Sequence, residues 1–164
     1  MSGITMIYCK KRGKKMTLGI RYLKTSLIYF IVGVTMGALL TVKPVHDFAL
    51  QSPLFAGAHA HINLLGWVSM ALIGGIHLHL KDKNLYSEKL GNAGFWLLNV
   101  GIAVMFILML IAGYIWSSLS IAGKGELIDA AVGPYMILTM VFGIVIAIGA
   151  YLTAYNLLKT LCRD

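Results

Sequence analysis

Four long apolar runs, separated by short polar stretches, set the pattern of this chain. They extend from about Ser26 to Val42, Ala56 to Leu80, Ala93 to Ser117 and Ala131 to Leu158, and none contains Lys, Arg, Asp or Glu. Each is long enough to cross a hydrocarbon core of about 30 Å as a helix. The runs do not alternate apolar with polar positions, as barrel strands would. Helices also satisfy their own backbone hydrogen bonds in lipid. The pattern therefore predicts an all-α integral membrane domain of four transmembrane helices. Composition agrees: of 164 residues, 59% are hydrophobic and only 12% charged, well outside the usual soluble range.

The basic residues predict an orientation. Lys10, Lys11, Arg12, Lys14, Lys15, Arg21 and Lys24 precede the first run, Lys81, Lys83 and Lys89 separate the second and third, and Lys159 and Arg163 follow the fourth. Only Lys43 and Lys124 fall on the other side. The positive-inside rule then puts both termini in the cytoplasm and the protein in the cell (inner) membrane. The formal net charge of +8 reads as topology and attraction to anionic lipid head groups. A nucleic-acid partner is not expected, because the basic cluster lacks interleaved aromatics and a folded module to present it.

Residues 1–24 read as a basic cytoplasmic extension and 25–164 as the four-helix domain. Met16 offers an alternative start. A cleaved signal peptide is disfavoured, since the first run ends in Val42-Lys43-Pro44 without a small-x-small site. The connections, 43–55, 81–90 and 118–129, are too short to be domains. Gly33 and Gly37, and a stripe of Gly143, Ala147 and Ala150, suggest close helix packing. Pro134 is expected to open the fourth helix, where its missing N–H does no harm. Cys9 and Cys162 both fall on the predicted cytoplasmic side, where thiols stay reduced. With no Cys-x-x-Cys-His, covalent c-type haem is excluded. Zinc is poorly supported, because no thiolate or carboxylate lies near the histidines.

The chemistry sits in Ala58-His59-Ala60-His61-Ile62-Asn63-Leu64-Leu65-Gly66-Trp67. Two imidazoles inside hydrocarbon are costly unless partnered. Residues two positions apart on a helix are offset by about 200°, so His59 and His61 point to opposite flanks at nearly one depth, in the outer third of the bilayer. They suit two half-sites better than one site. Neutral imidazole is the common axial ligand of haem iron. Gly57, Ala58, Ala60 and Gly66 would leave room for a flat macrocycle, Trp67 would stack on its edge, and Asn63 would supply a supporting hydrogen bond. The competing reading makes each histidine only a helix–helix hydrogen bonder. His77 and His79 repeat the spacing but lie near Lys81, where interfacial snorkelling accounts for them. His46 reads as a solvated loop histidine, with a propionate contact as the alternative.

This segment resembles the His-x-His stretch in the tenth helix of the haem–copper oxidase and nitric oxide reductase catalytic subunits. There the two histidines ligate the high-spin and low-spin haems from opposite faces of one helix, which implies those roles for His59 and His61. His61-Ile62-Asn63 also resembles a haem-ligand segment in the second helix of one oxidase branch. Short four-helix subunit I-like proteins carry a close version of the whole motif. The specific match covers about residues 57–80. The family subunit has about twelve helices in three arcs of four, so the resemblance implies one arc here. The adjacent histidine pair and the His–Tyr pair of the copper site are missing, so no copper is expected. Reduction of dioxygen to water is not expected from this chain alone.

Together these readings suggest a membrane b-type haem protein for electron transfer, or for haem-based handling of nitric oxide or oxygen. Non-covalent haem b would be held between protomers of a homo-oligomer, a trimer first and a dimer second. A redox partner or a quinone would complete the path. The alternative is a haem-free, non-enzymatic subunit of a larger respiratory or transport complex. A haem or metal transporter is a third option, but the chain offers no second ionisable pathway.

Overall fold

The computed structural model describes residues 17–80 and 85–162. Among these the chain is helical, without strands. The long helices are α1 (Leu18–Leu40), α3 (Pro53–His79), α4 (Glu88–Ile121) and α5 (Ile128–Leu161), with a short α2 (Lys43–Ala49) after α1 and a 3-10 turn (Gly125–Leu127) before α5. All four long helices are long and apolar enough to cross a membrane. The four-helix expectation therefore stands, and the chain is a multi-pass membrane protein.

The helices overrun the apolar runs that announce them. At 1.5 Å per residue, the 34 residues of α4 and of α5 reach about 50 Å, well beyond a core of about 30 Å. A run of apolar residues marks where lipid begins, whereas a helix ends where its hydrogen bonds end. Thus α1 starts at Leu18, not near Ser26, and takes in part of the basic 1–24 segment; the rest of that segment, residues 1–16, lies outside the described residues. Ser52 and Ser87 cap α3 and α4, their hydroxyls accepting from the Leu54 and Leu90 amides at 3.2 and 3.3 Å. The first connection is not a plain loop. Pro44 sits in the first turn of α2, and Lys43 pairs with Asp47 one turn on at 2.8 Å. Pro134 is a further correction: α5 begins at Ile128, so this proline lies inside the helix. The carbonyl it leaves without a ladder partner belongs to Ala130, which is exposed.

The helices form a row in the order α1, α3, α4, α5, with the longest packing between α4 and α5. The row curls, because Tyr22 of α1 reaches Thr153 of α5, hydroxyl to hydroxyl at 3.2 Å. Tyr29 of α1 donates to the Asn99 carbonyl of α4 at 3.1 Å. The core is Tyr22, Ala58, Ile62, Met70, Ile102 and Ala112, each sealed from solvent or nearly so.

Close approach depends on small residues. On α4, Gly94 and Gly101 admit Thr153 and Ile146 of α5, and Gly149 of α5 admits Leu97 and Leu98. The α5 stripe that packs is therefore Ile146, Gly149 and Thr153. Gly143 has nothing near it, and Ala147 and Ala150 are exposed, so the expected stripe faces outward. A Cβ at Gly94 would strike the Thr153 hydroxyl and lie 3.2 Å from the Gly149 carbonyl oxygen. Gly94→Val should therefore cost about 1–3 kcal/mol by overpacking, seen as a lower thermal midpoint in detergent. Gly143→Ala should leave that midpoint unchanged or slightly raised.

Candidate functional site

The site residues lie in the first half of α3, at the end of the bundle that carries α2. The helix is not uniform there. From Ile62 to Ser69 it widens into π geometry. Two side chains compete with the backbone ladder in this stretch: the Asn63 amide donates to the His59 carbonyl at 2.8 Å, and the Ser69 hydroxyl to the Leu64 carbonyl at 2.8 Å. Such widened turns recur at functional sites.

His59 lies in the seam between α1 and α3. A Cβ on Gly37 would fall 3.0 Å from its Cε1 and 3.6 Å from its Nε2, so the ring rests on the bare backbone of α1. One α1 turn earlier, a Cβ on Gly33 would fall 2.8 Å from the Asn63 Cγ. The Gly33-x-x-x-Gly37 pair is thus a groove for two polar side chains. Asn63 Nδ2 also approaches His59 Nδ1 at 3.3 Å. An amide nitrogen only donates, so Nδ1 accepts and His59 carries its proton on Nε2.

His61 stands in the opposite state. Its Nδ1 lies 2.7 Å from the Gly57 carbonyl oxygen. A carbonyl only accepts, so Nδ1 carries the proton and Nε2 keeps its lone pair. This arrangement fixes the tautomer of a metal-binding imidazole. His59 and His61 are both half-buried, and Ala56, Ala60 and Leu64 form an exposed ridge between them. Among the described residues no three His, Cys, Asp or Glu side chains converge. A donor set of separate imidazoles fits the axial positions of a haem rather than a tetrahedral zinc site. His61 fits as it stands. His59 fits once the Asn63 amide turns over, which would offer its oxygen to Nδ1–H and free Nε2.

The remaining expected residues are part of the seam. Gly66 is buried under Tyr29, whose Cγ would lie 2.8 Å from an added Cβ. Its open face is therefore filled from within the chain. Trp67 packs on Phe30 of α1, ring centres 4.4 Å apart. Gly57 lies near the Met109 methyl of α4. His46 is exposed, with Nδ1 3.1 Å from the Leu40 carbonyl oxygen. His79 is exposed at the other end of α3, beside a shallow apolar recess of about 380 Å³ that also involves Gly75 and Leu161.

His77 corrects the snorkelling expectation. It is only 6% exposed and stacks on Tyr22, ring centres 5.3 Å apart. The signal for this was present: His59, Asn63, Gly66, Met70, Gly74 and His77 follow one another by three or four positions and share the face turned to α1.

Gly33 of α1 meets Asn63, which bonds to His59, and the coupling of these residues is measurable. Gly33→Ala should destabilise the protein by driving its methyl into Asn63, and Asn63→Ala should cost about 1 kcal/mol through lost packing and the His59 bond. Combined, the two should cost less than their sum, because the methyl then occupies the vacated space. A double-mutant cycle on thermal unfolding in detergent checks this.

The family model described as Cytochrome C and Quinol oxidase polypeptide I matches residues 3–145. A cytochrome c oxidase subunit 1 homolog of Bradyrhizobium diazoefficiens is 28% identical over 153 residues, covering 86% of this chain and 28% of the relative. The Cbb3-type cytochrome c oxidase subunit CcoN1 of Stutzerimonas stutzeri is 28% identical over 155 residues, covering 86% of this chain and 32% of the relative. Cytochrome c oxidase subunit 1 of Rhodobacter capsulatus is 25% identical over 159 residues, covering 88% and 29%. The chain thus spans roughly a third or less of each relative's length. With four apolar spans, a paired-histidine helix and a match over most of its length, this chain belongs to the cytochrome c and quinol oxidase polypeptide I family.

Proposed function

We propose that this chain is a membrane b-type haem protein whose task is electron transfer, with His61 as an axial ligand through Nε2. The observation that carries the reading is the partial exposure of the His61 lone pair: the Gly57 carbonyl accepts the Nδ1 proton, and Nε2 lies on a half-exposed flank, whereas the like-bonded His77 is buried. Bound haem supplies a one-electron iron couple. The protein's part is to fix the imidazole, exclude water with apolar helices, and leave the Ala56–Ala60–Leu64 ridge open to a large flat group. His59 is the second ligand of the proposal once the Asn63 amide turns over to accept from its Nδ1–H, with Gly66 and Trp67 shaping the seam behind it. With both imidazoles on it, a bound haem would have no open position, which would favour electron transfer over nitric oxide or oxygen binding.

A 200° offset keeps both imidazoles of one chain from one iron, so the second ligand comes from a neighbour. We take the assembly to be a trimer that closes three rows of four helices, with haem shared between protomers and no copper. A quinone or a redox protein is the proposed electron partner. Both termini are assigned to the cytoplasm and the protein to the cell membrane, on the distribution of Lys and Arg. A second reading rests on the His59–Asn63–Gly37 contact, which is what a haem-free helix–helix module of a larger complex would use.

Purified protein should be red, with a reduced b-type absorption spectrum that carbon monoxide does not change. A colourless protein that folds would establish the haem-free module, and a carbon monoxide shift would establish an open iron site. His59→Ala and His61→Ala should each lose haem, while His77→Ala and His79→Ala should keep it; equal retention in all four would overturn the assignment. Native mass spectrometry should give a trimer, and a monomer with full haem content would refute ligand sharing.

A further inference from the structure

At the end of the bundle away from His59 and His61, polar side chains of α1, α3 and α5 meet inside apolar surroundings, and glycines of α4 make room for them. Thr153, Asn156 and Thr160 of α5 are spaced three and four apart, so they share one face, and all are buried. Thr160 lies nearest the 85–87 connection and accepts from the Tyr86 amide at 3.0 Å. Asn156 Oδ1 accepts from the Ser87 amide at 2.9 Å. Thr153 meets the Tyr22 hydroxyl of α1, and the Tyr22 ring stacks on His77 of α3. Gly91 and Gly94 of α4 make room for Asn156 and Thr153. The result is a polar column from the 85–87 connection to the His77 imidazole.

Helix-to-helix bonding accounts for most of this column, but not for two atoms. Asn156 Nδ2 has no partner, although the residue is fully buried. His77 Nε2 has none either. The His77 Nδ1 lies 2.9 Å from the Ile73 carbonyl oxygen, so it carries the proton and Nε2 presents a bare lone pair. One orphan is a donor and the other an acceptor. Buried polar atoms of this kind are normally satisfied by internal water. Apolar packing would have served a purely structural contact better than an amide and an imidazole left half-bonded.

We infer that this column is a hydration site, in which water admitted from the 85–87 connection accepts from Asn156 Nδ2 and donates to His77 Nε2. It is independent of the proposed haem site. Water on an imidazole lone pair is also the medium through which His77 would exchange protons with the nearer aqueous face. The alternative is a dry polar contact that only joins helices.

The test is solid-state NMR on the full chain with 15N-labelled histidine in lipid bilayers, using water as the probe and His77→Gln to assign the signal. The expected result is magnetisation transfer from water to an unprotonated, hydrogen-bonded His77 Nε2, slowed several-fold by Asn156→Leu and by Thr160→Val. Thr160→Val is nearly isosteric and serves should Asn156→Leu fail to fold. Absence of transfer at Nε2, while exposed His79 shows it, would establish a dry contact and overturn the inference. Transfer left unslowed by the variants that fold would overturn the route from the 85–87 connection.

Discussion

Everything in this structure depends on how closely α1 can approach α3. In a bilayer, lipid tails are as apolar as leucine, so helices associate through packing and interhelical hydrogen bonds rather than by escaping water. Here glycine supplies the approach in both directions. Gly33 and Gly37 of α1 receive Asn63 and His59, Gly66 of α3 receives Tyr29, and Gly19 and Gly74 face each other. A side chain at any of these positions would push the helices apart. The same seam that holds the fold therefore bears on His59, whose half-buried ring lies against Gly37.

The seam also explains the difference between two histidines only two positions apart. His59 points into it and meets an amide donor, so its outer nitrogen is a donor. His61 points away and falls back on its own helix, so its outer nitrogen is an acceptor. Spacing alone separates their directions. Their chemical states follow from Asn63 and Gly57, four positions on from His59 and four before His61, one turn away on the respective flanks.

What was legible in the sequence was what depends on composition over many residues. Four uncharged apolar runs can only be helices in lipid, and the His-x-His motif is specific enough to indicate the family. The elements that escaped depend on single contacts. Nothing in Lys43–Ala49 is apolar over a long enough window to mark a helix. The π segment coincides with Asn63 and Ser69 bonding to backbone carbonyls, a competition invisible to hydropathy. Pro134 looked like a helix start only because the apolar run was taken for the helix. Gly143 and Gly149 are equally permissive residues, and only the partner helix determines which of them is used. His77 was misjudged for a different reason: its neighbour Lys81 suggested an interface, although its register with Gly66, Met70 and Gly74 already placed it against α1.

His61 and His77 share a tautomer, each with Nδ1 bonded to the carbonyl four residues back. Tautomer alone therefore cannot define a cofactor ligand in this helix. Access does. His61 is half-buried and borders the exposed Ala56–Ala60–Leu64 ridge, so its lone pair is the more open of the two. His77 is buried and closed in by the Tyr22 ring and by the Tyr22–Thr153 contact. Removing the Tyr22 ring would change which of these two cases His77 resembles, without touching a hydrogen bond of the imidazole itself. One helix thus presents the same lone pair twice, and the packing around each sets how large a partner it could accept.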